Sequence, residues 1–100
     1  MSEFCLVMVC PPDIEEKLLD LLRNAAGHAV FTSTPAFSHG TAQGALSSLE
    51  QVMGRSHAVQ VQIAVTGDDM TQLLQQLRES FAGTGLRYWA TPLAALGEIK

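Results

Sequence analysis

Three patterns predict an α+β fold, with two helices on one face of a four-stranded antiparallel sheet. The first is the apolar run FCLVMVC, Phe4 to Cys10, closed by Pro11 and Pro12. The second is a strict alternation, in which His57, Val59, Val61, Ile63 and Val65 interleave with Ala58, Gln60, Gln62 and Ala64. The third is a pair of apolar stripes at helical spacing, one after each of these segments. Period two marks strands, and recurrence at i, i+4, i+7 marks amphipathic helices.

Phe4 to Cys10 reads as a buried first strand. Pro12 suits the first turn of a helix, because its missing N–H is not needed there. Ile14, Leu18, Leu21, Leu22 and Ala25 form the apolar stripe of that helix, and Asp13, Glu15 and Glu16 sit at its positive N-terminal end. Gly27 is placed to end it. A second strand fits Ala29 to Phe37, where Val30, Phe31, Thr32 and Thr34 favour extended backbone. The third strand, His57 to Val65, is the clearest element. Thr66 or Asp68 then caps a second helix with Met70, Leu73, Leu74, Leu77 and Phe81 on one stripe, and Gly83 stands at its C-cap. Leu86 to Thr91 makes the last strand. Its Tyr88 and Trp89 point to opposite faces, one expected in the core and the other at an interface or a ligand. The tail from Pro92 to Lys100 carries Leu93, Leu96 and Ile99 and is expected to pack or pair.

The order β-α-β-β-α-β is the ferredoxin-like split arrangement. Its first strand is apolar at both parities: Phe4, Leu6, Met8 and Cys10 on one side, Cys5, Val7 and Val9 on the other. A sheet facing water on one side should alternate, so the face without helices is expected to be covered as well. A homo-oligomer is the simplest cover. Gln60 and Gln62 fall on that face, where they can hydrogen-bond across an interface or line a central cavity.

One hundred residues, 47% apolar and 16% charged, make one domain with a real core. Six scattered Lys and Arg residues and a net charge of −4 form no basic stripe, which argues against nucleic acid as a partner. No basic n-region with a cleavage site opens the chain, and its apolar run is too short to span a bilayer, so a cytoplasmic location is expected. Cys5 and Cys10 lie at opposite parities of one strand and should remain unbonded thiols.

A long connection between two strands is usually a binding or gating element. The stretch from Pro35 to Arg55 is one, and it carries three chemically pointed pairs: His39 with Gly40, Glu50 with Gln51, and Gly54 with Arg55. Ala45 to Met53 can hold one or two helical turns capped by Ser47 or Ser48. His39 can offer an imidazole to a metal ion or an anion. Arg55 can grip a phosphate or carboxylate through its planar fork, or pair with Glu50. Arg87 starts the last strand. The ligand-binding set expected from sequence is therefore His39, Gly40, Glu50, Gly54, Arg55 and Arg87, with His39 the candidate metal ligand. No C-x-x-C or H-x-x-x-H spacing supports a dedicated metal site. His57 reads as a strand-end packing residue and His28 as a solvated loop residue. No G-x-S-x-G elbow, Walker loop or G-x-G-x-x-G is present, so neither a hydrolase nor nucleotide binding by those routes is expected.

The pattern F-T-S-T-P, S-H-G, L-S-S-L-E-Q-V-M-G-R, V-Q-V-Q and L-R-Y-W-A-T-P-L resembles a proteobacterial family of PII-like signalling proteins over nearly the whole chain. Its most specific parts are Leu46 to Arg55 and the Arg87-Tyr88-Trp89 run. The resemblance implies a ferredoxin-like homotrimer without catalytic activity, in which segment 37–54 corresponds to the T-loop that PII proteins use to contact ligands and targets. It also implies a small ligand or metal ion at intersubunit clefts and, because such genes often lie beside heavy-metal efflux pumps, a link to metal homeostasis. Two rival readings are a metal-binding or delivery protein using His39 and Cys10, and an adaptor whose loop docks on a membrane transporter. ATP-binding PII proteins carry a lysine-containing loop after the second helix and a basic C-terminal segment. Here Gly83-Thr84-Gly85 leads directly into Leu86, and Lys100 is the tail's one basic residue, so ATP binding in the PII manner is not expected.

Overall fold

The computed structural model describes residues 2–25, 30–40 and 55–100. Four strands, β1 (Glu3–Cys10), β2 (Phe31–His39), β3 (Arg55–Thr66) and β4 (Arg87–Pro92), form one antiparallel sheet in the order β2-β3-β1-β4. A 3₁₀ turn, Pro12–Ile14, leads into helix α1 (Glu15–Ala25), and helix α2 (Gly67–Phe81) joins β3 to β4. The ferredoxin-like order expected from sequence is the order observed. Among the described residues, no helix is long and apolar enough to cross a membrane.

Register divides the sheet into two faces. Directly opposed residues share a face. The rows Phe31–Ile63–Leu6–Ala90 and Ser33–Val61–Met8–Tyr88 therefore lie on one side, and Thr32–Gln62–Val7–Trp89 and Thr34–Gln60–Val9–Arg87 on the other. The first side meets the helices. Leu6, Met8 and Cys10 of β1 and Val59, Val61, Ile63 and Val65 of β3 join Leu18, Leu19 and Leu22 of α1 and Leu73, Leu77 and Phe81 of α2 in one buried cluster. Leu19 belongs to this core although the predicted stripe omitted it, while Leu21, Met70 and Leu74 are only partly buried. Ala25 and Gly27 lie outside what is described of side chains and backbone, respectively.

The helices are fastened where their sequence provides. Thr66 caps α2, its hydroxyl accepting from the Asp69 backbone N–H at 3.2 Å. Lys17 of α1 places its ammonium 5.3 Å from the centre of the Phe81 ring and donates to the Ser80 carbonyl at 3.4 Å. A cation thus meets the negative C-terminal end of α2, a favourable placement that also ties the two helices together.

Four expectations are corrected. β2 begins at Phe31 and runs on to His39, two residues past Phe37, because β3 reaches back to Arg55 and offers partners for Phe37, Ser38 and His39. Val30 lies before the strand and is exposed. Neither Tyr88 nor Trp89 is core: they are 46% and 48% exposed, because β4 is an edge strand. The tail does not pack beyond Leu93, whose N–H donates to the Glu3 carbonyl at 2.9 Å, and Leu96 and Ile99 stand exposed. Pro35 sits within β2 opposite Val59, which an edge strand tolerates.

Cys10 is 1% exposed, and its thiol is pushed up from an ordinary 9.0 to about 11, first by burial and then by the charges of Glu15 and Asp13. Burial and nearby carboxylates both oppose the thiolate. With the folded pKa above the unfolded one, the stability tied to this proton is complete below pH 9 and is lost as pH climbs toward about 11. Urea titrations across that window should show wild type losing about 2–3 kcal/mol more than Cys10→Ala, the equivalent of two pKa units. Equal losses would show that the thiol is not the group responsible. At neutral pH, Thr66→Ala should cost about 1 kcal/mol with the fold intact, as removal of a cap does.

Candidate functional site

An open cleft of about 820 Å³ lies where β1 ends. β1 stops at Cys10 while β2 and β3 continue to His39 and Arg55, so the hairpin overhangs the vacated end of the central strand. The floor is Val9, Cys10 and Pro11; Ser38, Gly40, Ser56, His57 and Ala58 form one wall, and Thr84, Gly85, Leu86 and Arg87 the other. Asp13 stands at the rim.

The wall after α2 is a turn built from its own sequence. Gly83 and Gly85 adopt φ of 78° and 89°, values that side chains disfavour. Between them Thr84 donates its backbone N–H and its hydroxyl to the Phe81 carbonyl, at 3.2 and 2.7 Å, and its hydroxyl accepts from the Leu86 N–H at 3.4 Å. A Cβ at Gly85 would lie 3.6 Å from the Pro11 ring, so the turn rests closely against the end of β1. This fixes the start of β4, and with it Arg87.

Arg87 is on the face without helices, in the row with Val9 and Gln60, and it reaches across the end of β1 to donate to the Ser38 hydroxyl at 3.4 Å. It forms no ion pair with another described residue. A guanidinium with five donors and one neutral partner, on the wall of a cleft, can accept an anion.

Of the residues expected from sequence, Gly40 and Arg87 are brought together here. His39 is exposed at the end of β2 and pairs in register with Arg55. That row falls on the side of Phe37 and His57, opposite to Ser38 and Arg87. Phe37 and His57 stack with ring centres 5.1 Å apart, so His57 packs at the strand end as expected, although it remains exposed. Glu50 and Gly54 lie outside the described residues, as does the helical segment expected over Ala45 to Met53. Cys10 borders the cleft, its thiol pushed up to about 11 by burial and by the charges of Glu15 and Asp13. Among the described residues, no group of three or more His, Cys, Asp or Glu could hold a metal ion.

Ser38, Asp13 and the Gly83–Gly85 turn were missed as site residues. The signal for the turn was its two glycines around a threonine, and the signal for Ser38 was the S-H-G step itself.

No described helix packs on the face that carries Arg87, although Val7 and Ala58 on it are only 7% and 5% exposed. Cys5, Val7, Val9, Ala58, Ala64 and Trp89 lie on it, with Gln60 and Gln62 between them. Gln62 donates its amide to the Gln60 carbonyl oxygen at 3.2 Å and accepts from the Cys5 thiol at 3.8 Å.

The same fold occurs in several solved structures. A DUF3240 family protein from Shewanella baltica superposes with a TM-score of 0.81 at 18% identity, covering 100% of this chain and 99% of that one. CPII, a nitrogen regulatory PII-like protein from Thiomonas intermedia bound to ADP, AMP and bicarbonate, gives 0.74 at 16%, covering 99% and 98%. The GlnK–ATP complex of B. subtilis gives 0.62 at 16%, covering 92% and 82%. No curated protein matches the sequence. Residues 1–100 match the family model described as "Protein of unknown function (DUF3240)", and the chain belongs to that family.

Proposed function

We propose that this chain is a non-catalytic, cytosolic regulatory protein of the PII-like type, a homotrimer that covers the open face of its sheet with neighbouring copies and binds a small ligand in the clefts at the ends of β1. The observation that carries this reading is the open face. Its β1 and β3 positions hold Cys5, Val7, Val9, Ala58, Gln60, Gln62 and Ala64, with Trp89 and Arg87 beside them on β4. Apart from Glu3 at the far end, Arg87 is the sole charged strand residue on that face among those described. Such a surface is suited to another protein surface rather than to water. The two glutamines, which bond each other in one chain, retain donor and acceptor capacity for a neighbour.

The regulatory part of the reading draws support from the fold shared with CPII and GlnK, the former named as nitrogen regulatory. It also draws on the cleft itself, since the β2–β3 connection leaves from Gly40 and returns beside Ser56, both of which line it. A ligand held there touches the roots of the connection. It can bias the arrangement of segment 37–54 only through contacts that differ between arrangements. In this reading the connection passes ligand state to a protein partner, for which the sequence resemblance suggests a membrane transporter linked to heavy-metal efflux.

Trp89 is the only tryptophan of the chain, so its emission reports the open face. Sedimentation at micromolar concentration should give the mass of three chains, and Val7→Asp, which places a charge at the middle of the face, should give folded monomer with Trp89 emission shifted to the red. A wild-type monomer, or a Val7→Asp protein that remains trimeric, would remove the interface from that face.

A further inference from the structure

We infer that the cleft at the end of β1 selects a small, singly charged carboxylate or bicarbonate over phosphates and polyphosphates, with Arg87 as the anchor and Asp13 as the residue that sets the charge limit. The inference rests on the proposed cleft function and names the ligand chemistry it serves.

It starts from an inventory of charge. The chain has six basic residues: Lys17, Arg23, Arg55, Arg78, Arg87 and Lys100. Three are engaged elsewhere. Lys17 lies over Phe81 and bonds the Ser80 carbonyl, Arg23 pairs with Asp20 at 2.8 Å, and Arg78 donates to the Tyr88 hydroxyl at 3.4 Å. Arg55 occupies a register position on the opposite parity from Ser38 and Arg87, and Lys100 is in the unpacked tail. Segment 41–54 contains no Lys or Arg. The described lining of the cleft therefore holds one guanidinium, Arg87, one carboxylate, Asp13, and the imidazole of His57, which packs against Phe37.

That balance suits one negative charge and not three or four. A guanidinium meets the two oxygens of a planar carboxylate with two parallel N–H donors, and one such contact neutralises the ligand. The Ser38 hydroxyl, already within 3.4 Å of the fork, can turn its hydrogen toward a ligand oxygen. A polyphosphate would extend past Arg87 along a cleft that Asp13 also lines, and the Asp13 charge already acts on the floor by opposing ionisation of Cys10. Each additional ligand charge then meets repulsion with no second Lys or Arg in the described lining to offset it. The remaining walls, Val9, Pro11, Pro12 and Leu86, are apolar and can take the hydrocarbon part of an organic acid.

The test is an NMR titration of the full chain at pH 8 and constant ionic strength, following the amides of Ser38, Gly85, Leu86 and Arg87, with sodium acetate, sodium bicarbonate, inorganic phosphate and ATP added separately. Saturable shifts with acetate, bicarbonate or both support the inference, and competition between the two distinguishes a general carboxylate site from one that accepts only the inorganic ion. Phosphate and ATP should bind at least about tenfold more weakly. Arg87→Gln should weaken acetate or bicarbonate about tenfold or more, the size expected for a lost charge-assisted hydrogen bond. Asp13→Asn should tighten phosphate and ATP about fivefold while changing acetate less, as removal of one charge near a partly exposed site does. The inference is overturned if wild type binds phosphate or ATP as tightly as acetate and bicarbonate, if Asp13→Asn leaves the ratio unchanged, or if none of these anions moves the four amides. Sedimentation of the same samples separates the two levels: a trimer that ignores small anions defeats the ligand assignment alone, whereas a monomer defeats the proposed assembly.

Discussion

β1 is paired along both edges, with β3 on one side and β4 on the other, and seven of its eight residues, all but Glu3, are apolar, on both faces. Every other element takes its place from that strand. Its even-numbered side chains, Leu6, Met8 and Cys10, receive the helices, and its odd-numbered ones, Val7 and Val9, form the centre of the open face. Its length also creates the cleft: pairing ends at Cys10 because Pro11 and Pro12 supply no donors and turn the chain into the 3₁₀ segment and α1. A strand two residues longer would fill the space that Arg87 now spans.

The helix layer is ordinary burial reinforced at two points, the Thr66 cap at the start of α2 and the Lys17 contact at its end. The cleft is held differently. Its rigid side is the Gly83–Gly85 turn, bonded to Phe81 and resting on Pro11, while its other side is the open end of a hairpin. One stiff wall and one wall at the root of a long connection suit a site whose occupancy is to be transmitted along the chain. The aromatic pair Phe37–His57 stiffens the hairpin on the side away from Arg87.

Much of the fold was legible because periodicity reports directly which side of an element is buried. The alternation of β3 and the Leu73, Leu77 and Phe81 stripe are examples, and the two-sided β1 told as much about the open face as about the core. What escaped was set by partners distant in sequence. Ser38 and His39 carry no strand signal of their own and are extended because Ser56 and Arg55 lie opposite. One of Tyr88 and Trp89 is expected in the core from their alternation, yet edge position leaves both exposed. Leu96 and Ile99 promise packing that one chain does not supply. Of the expected site, Arg87 and Gly40 were found from local patterns. Asp13 read only as a helix-start acid, because nothing local reveals that it will face the end of a strand and the turn after α2.

Pro35 gives the two borders of the sheet unequal chemistry. Its ladder with β3 passes through the position without a break, so the place where a hydrogen is missing falls on the outward border of β2. A foreign strand laid along that border would find a gap halfway and lose its register. Arg87–Pro92, at the other border, meets an imino acid only at its last residue. Accidental sheet growth, the first step toward fibrils, is therefore obstructed on one side of this molecule, and the burden of preventing it on the other falls to the side chains of β4 and to whatever copy lies beside them.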